Sequence, residues 1–362
     1  LALMLTNRPE FHIADSAAVS LGVIPFSVYE TLSPAQIAHE LQDAGARVIV
    51  TEPDFLEPIS KATAELPGAT QLIVVGANRQ EEGITPFEDL LATEQDAAAL
   101  KRARAAIRPD DLVTLIYTSG TTGPPKGVEI THANIMSTVA IFDSVVSLPE
   151  HARVISFLPM AHVAGRVGGH YFPGALGHTI TCCPEPRQVI SYLPEVKPSY
   201  FFTVPRIWEK LKAGIEAMVE SEQDKNRKQA IRWALDTGHT KAELERAGEP
   251  IPGELAEEYR RADELVLSKL RAQLGLDEVV LAMTGAAPTP STVLEFMHAI
   301  GLPLYEIWGL SESCGTGAGN RPGVAYRADR DGAAQDGGAG DRYRLRYRRV
   351  NVNADADLAL DQ

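Results

Sequence analysis

The stretch LVTLIYTSGTTGPPKGVEITHANI, residues 112–135, joins an apolar run to a loop rich in glycine, proline and hydroxyl groups. Leu112 to Tyr117 reads as a buried strand, and Thr131 is placed to cap a helix beginning near His132, which predicts a strand–loop–helix unit. Within the loop, Gly120, Gly123 and Gly127 let backbone N–H groups turn inward. Thr118, Ser119, Thr121 and Thr122 add hydroxyls, and Lys126 adds a positive charge, which together suit a polyphosphate. The same composition also makes an ordinary surface turn. A Walker A loop is excluded, because Pro125 and Gly127 flank the lysine where that pattern needs Gly and then Ser or Thr.

Outward from this unit, helical and extended signals alternate. Phe11, Ala14, Ala18 and Leu21 recur at helical spacing, and Gly22 supplies a stop. Ser33, Pro34 and Gln36 form a capping-box start for a second helix, which Gly45 ends. Short apolar runs at 47–51, 71–75, 112–117, 154–158, 178–182, 200–204 and 278–283 read as buried, largely parallel strands. Together these predict a layered α/β fold with strands sandwiched by helices. Residues 206–275 read as a helical insertion, with one buried stripe at Trp208, Leu211, Ile215 and Met218. A second stripe runs through Leu255, Tyr259, Ala262, Val266 and Leu270, and Pro252 and Gly253 mark a turn.

With 362 residues, 44% of them hydrophobic, the chain can bury a large core. A formal charge of −14 argues against a nucleic-acid partner. Three cysteines, with Cys182 and Cys183 adjacent, form neither a disulfide framework nor a zinc pattern, so a reducing, cytoplasmic setting is expected. No apolar run reaches the roughly 20 residues of a membrane span. Leu1 stands in place of Met, and Ala2 to Leu5 already read as buried, so the true N-terminus is expected upstream. Residues 321–362 hold eight Arg, seven Asp and neither Lys nor Glu. That bias fits a shifted reading frame in a GC-rich coding sequence, the preferred reading, or else a disordered linker.

In full order, Thr118 to Gly127 resembles the TSGTTGxPKG signature of the adenylate-forming superfamily. The resemblance implies a large N-terminal lobe over residues 1–320, with the loop (Thr118, Ser119, Gly120, Thr121, Thr122, Gly123, Lys126) holding the β- and γ-phosphates of ATP. FLPMAH, 157–162, resembles the motif in which a histidine borders the acyl pocket, here His162. GAAP, 285–288, resembles the strip along adenine, which gives Gly285, Ala286 and Ala287 to the nucleotide and Gly285 also to the acyl pocket. YEIWGLSE, 305–312, is similar to the motif in which an aromatic packs on adenine, a hydroxyl reaches the α-phosphate and a glutamate holds Mg²⁺. Position by position these roles fall on Trp308 with Gly309, on Ser311, and on Glu312. Trp308 and His162 also admit a plain core-packing reading, and His170 and Cys182 read as structural.

KPSYFFTVPRIWEKL, 197–211, with the helices after it, resembles long-chain acyl-CoA synthetases most. The resemblance implies that a fatty acid is activated with ATP and Mg²⁺ and passed to CoA, with Lys126, Ser311 and Glu312 as the catalytic set. A ribose-gripping Asp, a hinge and a C-terminal lobe with its lysine belong to the family pattern and are not found; Asp341 lacks the surrounding pattern. Poor turnover by this chain alone is therefore expected. Two other readings stand beside this one: a non-catalytic nucleotide- or acyl-binding remnant, and an adenylation domain serving a carrier protein. Oligomeric state is not legible, and a peripheral membrane contact is compatible with the sequence but not required by it.

Overall fold

The computed structural model describes residues 1–319 apart from 65, 67–69, 78–82, 95, 119–122 and 147, together with the backbone of 343–344. The interpretation of the Arg- and Asp-rich segment from 321 onward lies outside the described side chains.

The first sheet contains β1 (Ala2–Met4), β2 (Phe26–Ser27), β3 (Val48–Thr51), β4 (Gln71–Val74), β5 (Ile84–Pro86), β6 (Leu112–Thr118) and β7 (Lys126–Thr131). Its order is β5-β4-β3-β1-β2-β6-β7, parallel throughout except for the antiparallel β6–β7 pair. Crossovers carry α1 (Pro9–Ser20) and α2 (Pro34–Asp43). Helix α2 starts as its residues dictate: the Ser33 side chain accepts from the Gln36 amide and the Gln36 side chain answers at the Ser33 amide. Gly45 then turns the chain at φ 58°.

The strand–loop–helix expectation needs correction at this sheet. After the loop the chain returns as β7, paired with β6 from Thr118↔Lys126 onward, before α3 (His132–Val145) begins. Thr131 does cap α3, in a capping box with Asn134. Lys126 is therefore the first residue of a strand, directly across the ladder from Thr118.

A two-stranded parallel sheet follows, β8 (Arg153–Ser156) with β9 (Thr179–Cys182). Between them lies α4, running over 163–176 as an α-turn (Val163–Arg166), a π-turn (Val167–Tyr171) and a second α-turn (Phe172–Leu176). The last sheet is ordered β10 (Tyr200–Thr203), β11 (Leu281–Thr284), β12 (Leu304–Leu310), β13 (Gly315–Gly319) and β14 (Tyr343–Arg344). Its first three strands are parallel, and β12–β13–β14 are antiparallel.

Helices α5 (Pro205–Ser221), α6 (Lys225–Ala247), α7 (Gly253–Ala262) and α8 (Ser268–Leu274) occupy the predominantly helical segment, and α9 (Ser291–Ala299) packs against α6. Trp208, Leu211 and Ile215 are buried, and the Trp208 indole N–H donates to the Met283 carbonyl at 3.2 Å, tying α5 to β11. A π-turn over Asp263–Leu267 shifts the helical phase, so Leu267 is fully buried beside the partly buried Val266. Where α6 meets α9, a Cβ on Gly238 would fall 2.1 Å from the Ala299 carbonyl oxygen, so only glycine permits that approach. Among the described residues no helix is long and apolar enough to cross a membrane.

Candidate active site at the mouth of an apolar cavity

The site is built where the β6–β7 hairpin meets the end of β12. Ser119, Gly120, Thr121 and Thr122 lie outside the described residues; Thr118, Gly123 and Lys126 bracket them. Helix α2 braces the hairpin from behind. His39 Nε2 lies 3.1 Å from the Pro125 carbonyl, and the Tyr117 hydroxyl donates to Asp43 at 2.8 Å. Thr118 lines a cavity of about 620 Å³, and Lys126, directly across the ladder, is exposed.

Strand β12 delivers the other side. Its register slips between Trp308 and Gly309, where a Cβ on Gly309 would lie 1.5 Å from the Gly315 carbonyl oxygen. No other residue fits there. The slip leaves Trp308 63% exposed, with its ring over Gly317 and lining the cavity. Core packing is thereby excluded for this tryptophan. A short 3₁₀ turn, Ser311–Ser313, then buries Ser311 and exposes Glu312, and both line the cavity. Strand β7, which Lys126 opens, abuts this turn.

The 285–288 strip follows β11. Ala286 adopts a left-handed backbone, φ 66°, and lines the cavity, a conformation that costs a non-glycine residue about 1 kcal/mol or more. Gly285 is buried, with β12 so close that a Cβ would meet the Ile307 carbonyl oxygen at 2.7 Å. Of the strip, Ala286 lines the cavity, and Gly285 and the exposed Ala287 stand beside it. His162 is exposed on the cavity wall and caps α4, its Nδ1 accepting from the Ala164 amide at 3.1 Å. It is not a core histidine.

Inward from this rim the cavity becomes apolar, walled by Phe142 of α3, Val167 and Phe172 of α4, Tyr200 of β10, and Leu281 and Met283 of β11. Phe142 stands 5.5 Å from Phe172, and Phe172 5.5 Å from Tyr200, an aromatic chain along one side. One end therefore offers charge, hydroxyls and an open indole face, while the other offers hydrocarbon.

Sequence reading missed what holds α4 in place. Arg166, on the far side of α4 and fully buried, is paired with the fully buried Asp15 of α1 and bonded to the Ser27 hydroxyl and, at 3.2 Å, the Pro25 carbonyl. His170 Nε2 meets the other Asp15 oxygen at 2.9 Å, and His170 Nδ1 meets His12 Nδ1 at 2.9 Å. Burial alone would raise the Asp15 pKa; Arg166 and His170 outweigh it and hold the carboxyl below its usual range. Burial, aided by His170, pushes His12 down to about 4. The signal was present, since Asp15 sits at an i+4 position of the apolar stripe of α1, where an acid needs a buried partner. His170 is structural, as its sequence suggested, and the Cys182 thiol, pushed up to about 11 mainly by burial, is not activated.

This layered α/β fold, with an apolar cavity bordered by Trp308, Ser311 and Glu312, is matched among known proteins. The AMP-binding enzyme family matches residues 1–336, and the chain belongs to that family. A Mycobacterium tuberculosis protein, provisionally named fatty-acid–CoA ligase fadD11, is 48% identical over 210 residues, covering 58% of this chain and 37% of its own length. The Xenopus laevis long-chain-fatty-acid–CoA ligase ACSBG2 is 32% identical over 330 residues, covering 85% of this chain and 43% of its own. The chain thus spans less than half the length of either relative. Among solved structures, a benzoate CoA ligase from Burkholderia xenovorans LB400 superposes with a TM-score of 0.61 at 19% identity, over 90% of this chain and 53% of that one, a likeness of fold.

Proposed function

We propose that the protein of which this chain is part activates a fatty acid with ATP and transfers it to CoA. The observation that carries this reading is a largely apolar cavity whose lining also includes Ser311, Glu312 and the exposed Trp308, with Lys126 opening the strand that abuts the Ser311–Ser313 turn. A ligand with an alkyl tail and an adenosine head matches both halves.

In the first half-reaction a carboxylate oxygen attacks the α-phosphorus of ATP, the bond to the bridging oxygen breaks, and pyrophosphate leaves. Charge neutralisation is the main demand of such a step. Lys126 and the hairpin amides would meet the departing phosphates, Ser311 would donate to the α-phosphate, and the open face of Trp308 would stack on adenine. Among the described residues no three His, Cys, Asp or Glu side chains cluster as a self-contained metal site. A single exposed carboxylate, Glu312, fits Mg²⁺, which is commonly held by one or two carboxylates together with substrate phosphates. When bound, Mg²⁺ would offset the charge of the phosphates. In the second half-reaction the CoA sulfur attacks the acyl carbon, its proton is lost, and AMP leaves; this step belongs to the whole protein.

Mixing the chain with ATP, Mg²⁺ and fatty acids, and detecting acyl-adenylate by mass spectrometry, tests the reading when run beside a form extended by a C-terminal lobe. Acyl-adenylate from the extended form, with less from the chain alone, is expected. Acyl-adenylate from neither favours a binding remnant, and transfer to a carrier-protein thiol in place of CoA favours an adenylation domain serving such a carrier.

A further inference from the structure

Helix α4 carries glycines at 165, 168, 169 and 174, an unfavourable density for a helical segment. Their surroundings differ. At Gly165 a Cβ would strike the Pro159 carbonyl oxygen at 2.3 Å, so the helix can approach that loop only without a side chain. At Gly169 it would contact the Ser156 hydroxyl at 3.5 Å and Met160 at 3.7 Å, ordinary packing. Gly174 is exposed. At Gly168, as at Gly174, no atom lies within 4 Å of where a Cβ would be and φ is not in the left-handed region, but Gly168, unlike Gly174, lines the cavity, as Gly165 and Gly169 also do. Neither packing nor backbone conformation calls for glycine there, and what the missing side chain provides is room.

The depth of Gly168 follows from the strands. Tyr200 pairs with Leu281 at the start of β10 and β11, and Thr203 pairs with Thr284 at their end, next to the rim residue Ala286. Tyr200 is thus about 10 Å of strand from the rim. Its hydroxyl donates to the Gly168 carbonyl at 3.1 Å, which ties the π-turn to the deep, aromatic part of the cavity. Val163, one α-turn earlier, instead approaches Gly315 beside the rim. The π-turn therefore places a residue without a side chain against the hydrocarbon end of the cavity. Such turns are concentrated at functional sites.

We propose that Gly168 is a specificity-determining residue whose missing side chain sets the length and bulk of the acyl tail admitted. The inference rests on the fatty-acyl reading of the same cavity. Acyl sulfamoyladenosines of increasing tail length, titrated calorimetrically into the chain and into Gly168→Ala and Gly168→Leu variants, provide the test. In Gly168→Leu, binding of the longest tails should fall by about tenfold or more, as overpacking of a filled cavity predicts. The shortest tail should bind as it does to the unaltered chain. Gly168→Ala should fall between the two and, because nothing obstructs its methyl, keep the original melting temperature if Gly168→Leu folds poorly. Length profiles that superimpose for both Gly168→Ala and the unaltered chain, with Gly168→Leu folded and likewise unchanged, overturn the inference alone. Failure of every mimic to bind the unaltered chain overturns the fatty-acyl reading and this inference with it.

Discussion

Trp308 is a large aromatic that the fold leaves outside its core, 63% exposed on a strand whose slip is enforced by Gly309. Since little of its surface is buried, Trp308→Ala should leave the melting temperature nearly unchanged while removing the proposed adenine platform. The expected loss is about 1–3 kcal/mol of AMP affinity, measured by calorimetry. Glu40 is the opposite case, 2% exposed, with its Oε2 lacking a hydrogen-bond partner among the described residues. Burial pushes its pKa from 4.5 up to about 7. The folded state then holds the proton more tightly than the unfolded one, so stability is greatest below about pH 4.5 and declines until about pH 7, where the decline levels off. Glu40→Gln should flatten this window and add on the order of 3 kcal/mol at pH 8, read from urea unfolding at a series of pH values.

At the scale of elements, α4 faces two ways. Val163, Val167, Gly168 and Phe172 line the cavity, while Arg166 and His170, one turn apart, reach back to Asp15 on α1. Asp15→Ala would leave a fully buried guanidinium without its carboxylate, at a cost of about 3–5 kcal/mol in chemical unfolding. Fluorescence of an acyl probe should report a loosened cavity wall in the same variant. How legible each element was depended on how local its cause is. The capping box of α2, the Thr131 cap of α3 and the stop at Gly45 are written within four residues of each boundary and were readable, whereas Asn134 as the second half of the α3 box was not singled out. Strand β7 was not, because a six-residue edge strand whose inward residues are Val128 and Ile130 carries too short an alternation to stand out before a capped helix. The π-turn in α4 has no local signature beyond its paired glycines, since what decides it is contact with Tyr200 and Asp15, far away in the chain.

Across the whole molecule, the layered α/β architecture follows from alternating apolar runs and helices. The division, among the described residues, into sheets of seven, five and two strands depends on pairings between distant segments and could not be read from the runs themselves. The same divide runs through the site. Lys126, Trp308, Ser311 and Glu312 could be proposed from sequence because they lie inside contiguous motifs. The Asp15 network was not, because its partners lie 151 and 155 residues away. Folding sets the strand that Lys126 opens against the Ser311–Ser313 turn and opens an apolar cavity beside Trp308, Ser311 and Glu312, and nucleotide and acyl tail are proposed to occupy the two parts of one continuous site. Calorimetric titration of the chain with a long-chain acyl sulfamoyladenosine, beside AMP and the free fatty acid, tests that claim most directly. A continuous site should bind the joined ligand roughly a hundredfold or more tighter than either part, because the second contact becomes intramolecular. Affinity for the joined ligand no better than for AMP alone would contradict it.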